Sequence, residues 1–151
     1  MEMAYGTRLR EMAERMAGNT IPRDQTDSVI DFIRNGGMRH IGIVSGLSMT
    51  GKTNLLCHAM LKMTDKELAG TGFVIMSASD SWDVLDAGIR EMQKHGVSCV
   101  LIDEITEVKS FISKSADLAN VFSNLYGIRI VCSGSGSLAL YFAEHGGPSA
   151  T

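Results

Sequence analysis

The chain has 151 residues, 44% of them hydrophobic and 21% charged, and its 14 lysines and arginines against 17 aspartates and glutamates leave a net charge of -3. A chain this long supports one domain that buries roughly two thirds of its unfolded surface, without disulfide or metal staples. It lacks the basic footprint that drives nonspecific nucleic-acid binding, which leaves nucleic acid unsupported as a partner, and no apolar run approaches the ~18 residues of a membrane span. Cys57, Cys99 and Cys132 are odd in number and the last two lie in apolar runs, so they read as small core side chains in a reducing interior. With no apolar secretory segment at the N-terminus, the expected location is the cytoplasm.

Leu9, Met12, Ala13, Met16 and Ala17 recur at helical spacing, which predicts an amphipathic helix over 4–17 that stops at Gly18-Asn19. A partner-binding helix carries the same stripe, but such a stripe more often faces a core. Thr26 or Asp27 is placed to cap a second helix bearing Val29, Ile30 and Ile33, closed by Asn35-Gly36-Gly37. The pattern then changes to short apolar runs at 40–45, 72–77, 98–103 and 128–133, separated by helical stretches at 52–63, 81–95 and 115–126, with a last one at 137–144. This alternation predicts an α/β fold of three layers with a mainly parallel sheet of at least four strands. The N-terminal helical segment, 1–39, is expected to pack on a core formed by 40–151.

The run Gly46, Leu47, Ser48, Met49, Thr50, Gly51, Lys52, Thr53 follows a strand and opens a helix, the context a phosphate-binding P-loop requires. Gly46 and Gly51 let the backbone curl its N–H groups toward phosphate oxygens, and the helix contributes its positive end. Lys52 is a flexible cation for the β and γ phosphates, Thr53 offers a hydroxyl to Mg²⁺, and Asn54 completes the binding stretch. Chance produces this pattern in about 0.5% of chains of this length, so a plain glycine turn is a poor rival. The implied ligand is a nucleoside triphosphate, ATP with Mg²⁺.

The strand ending in Val100-Leu101-Ile102 delivers Asp103 and Glu104 to its C-terminal end, the edge where ligands bind in open α/β sheets. Asp103 suits the metal's water shell beside Thr53, and Glu104 suits a general base for water attacking the γ-phosphate. Alone, the pair would as readily cap a helix; together with the P-loop it points to hydrolysis. Ser133 or Ser135, after the strand Ile128–Cys132, would stand beside the γ-phosphate if that strand lies between the P-loop and Asp103 strands, although a turn of small residues explains either serine as well. Gly134, Gly136 and Ala139 also fit a dinucleotide fingerprint, but no further strand with its acidic residue follows. The scattered histidines and cysteines lack zinc spacing. Asp80 most simply caps the helix carrying Trp82 and Leu85.

Ile41 to Leu56, Val100 to Thr106 with Phe111-Ile112, and Gly127 to Gly134 with Ser137-Leu138-Ala139 together resemble prokaryotic AAA-type ATPases of the archaeal-ATPase-like group, over roughly residues 20 to 145. The resemblance implies an ATPase core whose P-loop strand neighbours the Ser133 strand. It carries the family roles onto Lys52, Thr53, Asp103 and Glu104, and places Ile21 and Pro22 near adenine. Gly136 stands where the family usually has a polar or acidic residue. Family members also continue into a fifth strand and a C-terminal domain, so the chain is expected to be an incomplete core that works with a second copy or a protein partner. Two other functions remain open: a nucleotide-binding interaction module with negligible hydrolysis, and a small phosphotransferase using Asp80. Arg129 and Arg90 are both expected to lie too far from the γ-phosphate to serve as an arginine finger in cis.

Overall fold

The computed structural model describes residues 1–17, 23–35, 41–44, 49–77, 79–105 and 128–134, with the backbone alone for 23–25, 41–44 and 49–52. In chain order the elements are β1 (Glu2–Tyr5), α1 (Arg8–Met16), α2 (Arg23–Asn35), β2 (Ile41–Val44), α3 (Met49–Leu61), α4 (Asp65–Ala69), β3 (Thr71–Ile75), α5 (Trp82–Lys94), β4 (Cys99–Asp103) and β5 (Arg129–Ser133). The helices expected at 115–126 and 137–144 lie outside the described residues.

The five strands form one sheet in the order β1-β3-β4-β5-β2. β3, β4, β5 and β2 run parallel, and β1 closes one edge antiparallel to β3. Successive side chains of a strand point to opposite faces, and the core divides accordingly. Phe73, Cys99, Leu101 and Val131 face one hydrophobic cluster with Leu9, Val29, Leu56 and Met60. Val74, Val100, Ile102, Ile130 and Cys132 face another with Leu85, Ile89 and Met92. A sheet apolar on both faces must be covered on both, and it is. On one side α3 lies against β4, flanked by α1 near β3 and by α2 near β5; on the other α5 supplies its apolar stripe. α3 buries Leu55, Leu56, Cys57, Ala59 and Met60, nearly its whole circumference, as a helix roofed by two others must.

Three local features differ from the sequence expectations. Residues 4 and 5 are strand, not helix: Met3 and Tyr5 pack on the α5 side and Ala4 on the other, and pairing with β3 satisfies backbone groups that an extra helical turn would leave facing the sheet edge. Gly6, at φ 66°, turns the chain between β1 and α1. Thr26 and Asp27 do not cap α2, which begins at Arg23; Thr26 is buried within it and Asp27 faces Lys62 at 3.5 Å. A short helix, α4, was legible in Thr64-x-x-Glu67, a capping box in which Thr64 Oγ1 accepts from Glu67 N and Glu67 Oε1 accepts from Thr64 N. Among the described residues no helix is long and apolar enough to cross a membrane.

Glu67 also joins α4 to α2. Arg34 donates Nε to Glu67 Oε2 at 2.6 Å and Nη2 to Oε1 at 2.9 Å. The Arg34 hydrogen bonds first, and the Thr64 amide second, hold the Glu67 carboxyl down at about 2. A carboxyl whose pKa is depressed by folding adds stability in full above its ordinary range and loses it as pH falls toward the folded value. Stability of the parent protein should therefore decline between about pH 5 and pH 2 more steeply than that of Glu67→Gln, in urea denaturation at matched ionic strength. Parallel declines would mean that the pair contributes nothing. Thr64→Ala should cost about 1 kcal/mol at neutral pH.

Candidate functional site

The strand register assembles one site at the C-terminal edge of the parallel strands. Val44, the last residue of β2, pairs with Ser133, and Ile102 pairs with Cys132, so the chain leaves β2 toward Gly46 beside Ser133, with Asp103 on the next strand. β5 thus lies between β2 and the strand that carries Asp103, the strand order that the inserted-strand reading of the sequence expects. Side-chain alternation puts Leu101 and Asp103 on one face of β4 and Val131 and Ser133 on the same face of β5. This is the face that α3 covers, so Thr53, in the first turns of α3, meets Asp103 at the end of β4.

Thr53 Oγ1 donates to Asp103 Oδ2 at 2.5 Å, across 50 residues of sequence. Ser133 Oγ donates to Asp103 Oδ1 at 2.5 Å and accepts from Glu104 N at 3.1 Å. Asp103 is 2% exposed, Glu104 7% and Ser133 0%, so this is a polar junction inside an apolar wall. Polar groups are tolerated at such depth when hydrogen-bonded. Glu104 has φ 60°, the left-handed region that costs a non-glycine residue about 1 to 3 kcal/mol and that clusters at functional sites. Its amide bond to Ser133 fixes that turn. One turn further along α3, burial and then the neighbouring Asp103 push the Cys57 thiol up to about 11, and burial puts Cys99 and Cys132 near 12; all three are free, inert thiols.

Of the residues singled out from sequence, the fold brings together Thr53, Asp103, Glu104 and Ser133. Met49, Thr50, Gly51 and Lys52 form the start of α3, followed by Thr53 and the half-buried Asn54; Gly46, Leu47 and Ser48 lie outside the described residues, as do Ser135, Gly136, Ile21 and Pro22. The commitment of the Ser133 hydroxyl to both Asp103 and Glu104, and the turn at Glu104, have no sequence signal. Asp80 is not the cap of α5: that position belongs to Ser81, whose side chain makes no cap bond. Asp80 instead accepts from the Met1 amino group at 3.0 Å and from Ser77 N and Oγ, each at 2.9 Å, and the amine in particular holds its carboxyl below the ordinary range.

The Thr53 hydroxyl and the Asp103 carboxylate are hard oxygen donors at one point. That fits Mg²⁺, which takes one or two protein groups and completes its shell with water and phosphate. Among the described residues there is no group of three or more His, Cys, Asp or Glu that could hold a metal ion.

No protein-family model matches the chain, and no curated protein matches it. Among solved structures, that of C. elegans PCH-2 is similar over 98% of this chain and 43% of its own, at 12% identity and a TM-score of 0.43. The chain therefore spans less than half the length of that protein, and a likeness of this degree carries no argument about activity.

Removing the Ser133 hydroxyl strands the Glu104 amide and takes one donor from a buried carboxylate. Ser133→Ala should cost about 1 to 3 kcal/mol in denaturant unfolding, well above the effect of an ordinary surface substitution. A loss within 0.5 kcal/mol or so would show that the junction holds without it.

Proposed function

We propose that the chain is the nucleotide-binding core of an AAA-type ATPase, which binds ATP with Mg²⁺ and couples its hydrolysis to a protein partner or a second copy. The observation that carries this is the Thr53–Asp103 hydrogen bond: it joins the hydroxyl of the P-loop motif to the carboxylate of the acidic motif from opposite halves of the chain. In this reading the helix α3 presents its positive N-terminus and Lys52 to the triphosphate. Thr53 and Asp103 would hold the metal, which would supply neutralisation of phosphate charge. Asp103 keeps its orientation because Ser133 grips its other oxygen. Glu104 takes the proton of the attacking water, with Ser133 fixing the backbone turn that carries this largely buried side chain. Ser133 is thereby a positioning residue, its hydroxyl being spoken for by Asp103 and Glu104.

A second reading, a nucleotide-binding module with negligible hydrolysis, is favoured by the arginines. Arg129 opens β5 at the opposite end from Ser133 and bonds Ile33 O, and Arg90 pairs with Asp86 on α5 at 3.1 Å. Neither stands at the candidate site, and an arginine finger contributes ~10³ to 10⁵ in rate to phosphoryl transfer. The phosphotransferase alternative, which uses Asp80 on an acceptor, has less support, since Asp80 accepts hydrogen bonds from Ser77 N and Oγ.

The tests are binding and turnover together. Lys52→Ala should weaken Mg²⁺-ATP binding by roughly tenfold to a hundredfold, the value of a hydrogen bond to a charged group, with an unchanged apo melting temperature. Unchanged affinity would refute the phosphate loop. Glu104→Gln should retain affinity and lower any turnover by roughly 10² to 10⁴. Asp103→Asn should remove the metal dependence of binding. Turnover of the isolated chain should stay below about 1 s⁻¹ and rise with protein concentration or in a longer chain; a fast rate independent of concentration would show a site complete in itself.

A further inference from the structure

The edge of the sheet opposite Asp103 carries a different chemistry. There the starts of β3, β4 and β5 meet the end of α2 and the short helix α4 around an open cleft of about 380 Å³, lined among others by Arg34, Lys66, Glu67, Ser98 and Arg129. Among the described residues its charge does not balance: Glu67 is the one carboxylate of the lining and is fully engaged by Arg34 and the Thr64 amide. Arg129 has no carboxylate partner among the described residues; its recorded bond goes to Ile33 O, a carbonyl in the last turn of α2 that offers only a partial charge. Its buried Nε has no hydrogen-bond partner there. The Lys66 ammonium and the Ser98 hydroxyl likewise make no bond among the described residues, and Ser98 Oγ stands 3.5 Å from where a Cβ on Gly70 would be. Among the described residues the wall thus holds two cations beyond its single anion, with donors left over, in a cleft whose size falls in the range of small-molecule sites, about 300 to 1,000 Å³.

We propose that this cleft is a second anion site, which takes the phosphate group of a small phosphate monoester. The three cations come from three separate elements, Arg34 from α2, Lys66 from α4 and Arg129 from β5. A tetrahedral phosphate presents oxygens in three directions and meets such a set, whereas a planar carboxylate meets a two-pronged one, the pairing Glu67 already makes with Arg34. The volume left beside the phosphate accommodates the carbon skeleton of the ester. The proposal is independent of the ATP reading, because the two sites lie at opposite ends of the strands and share no residue.

The experiment is a residue-resolved amide NMR titration of the full chain with glycerol 3-phosphate, inorganic phosphate and acetate at constant ionic strength. Glycerol 3-phosphate should shift Gly70, Thr71 and Ser98 saturably with a Kd of about 1 mM or tighter, inorganic phosphate should do so more weakly, and acetate should not. Lys66→Glu changes an exposed side chain, and an unchanged spectrum elsewhere will show its fold intact; it should weaken binding at least about tenfold, and Ser98→Ala should weaken it by a smaller factor. Shifts confined to Thr53 and Gly134 would assign phosphate to the other edge alone and overturn the proposal. So would an equal response to acetate, no saturable shift at Gly70, Thr71 and Ser98, or an affinity unchanged in Lys66→Glu.

Discussion

Asp103 ends a strand whose preceding residues are apolar and buried, and it is itself almost wholly out of water. A carboxylate in that position is strongly disfavoured unless its oxygens are met by donors. Thr53 meets one and Ser133 the other. Each of those hydroxyls comes from a different layer or strand, so the carboxylate ties α3 to β4 and β4 to β5 at one point. The parallel order around it follows the same need: with β5 between β4 and β2, the end of β2, the Ser133 hydroxyl and the Asp103 carboxylate line up along a single edge. The strained turn at Glu104 is held by the same hydroxyl. Loss of Ser133 would therefore loosen the acidic pair as a unit and not one side chain alone.

The two ends of the parallel strands are chemically unlike. At the C-terminal ends stand the buried Asp103, Glu104 and Ser133, two of them carboxylates. At the N-terminal ends stand Arg129, Lys66 and Arg34, which suit an anion. In a parallel sheet every strand points the same way, so residues at equivalent positions of neighbouring strands collect on one edge. That geometry places Asp103 and Ser133 on one edge and Arg129 on the other, where the end of α2 and the helix α4 add Arg34 and Lys66.

Around this frame, the periphery is tied by a few specific contacts. β1 lies over α5 closely enough that a Cβ on Gly88 would stand 2.7 Å from Met1 Cε and 3.3 Å from Met3 Sδ. A glycine inside a helix costs about 1 kcal/mol relative to alanine, and here it makes room for the edge strand. Arg10 fastens α1 to the segment before α4 through Met63 O and Asp65, both at 3.0 Å, and the Arg34–Glu67 pair fastens α2 to α4 from the other side. These polar clamps sit at the rim, while the two apolar clusters hold the layers.

The strands at the site were legible because continuous apolar runs bounded by polar ends have few other meanings. The runs at 98–103 and 128–133 correspond to Cys99–Asp103 and Arg129–Ser133 within a residue. The amphipathic stripes of α1 and α5 were legible for the same reason: each is a local pattern of side chains. What the sequence could not show was anything set by partners distant along the chain. Residues 2 to 5 form a strand because β3 offers them an edge, and Asp80 forgoes the helix cap because the Met1 amine lies within reach. The strand order, which puts Ser133 against Asp103, and the collection of Arg34, Lys66 and Arg129 around one cleft arise only when the sheet assembles. Local periodicity determined the elements; hydrogen bonds and charges between elements, whose energies depend on burial that exists only in the folded chain, decided what stands beside what.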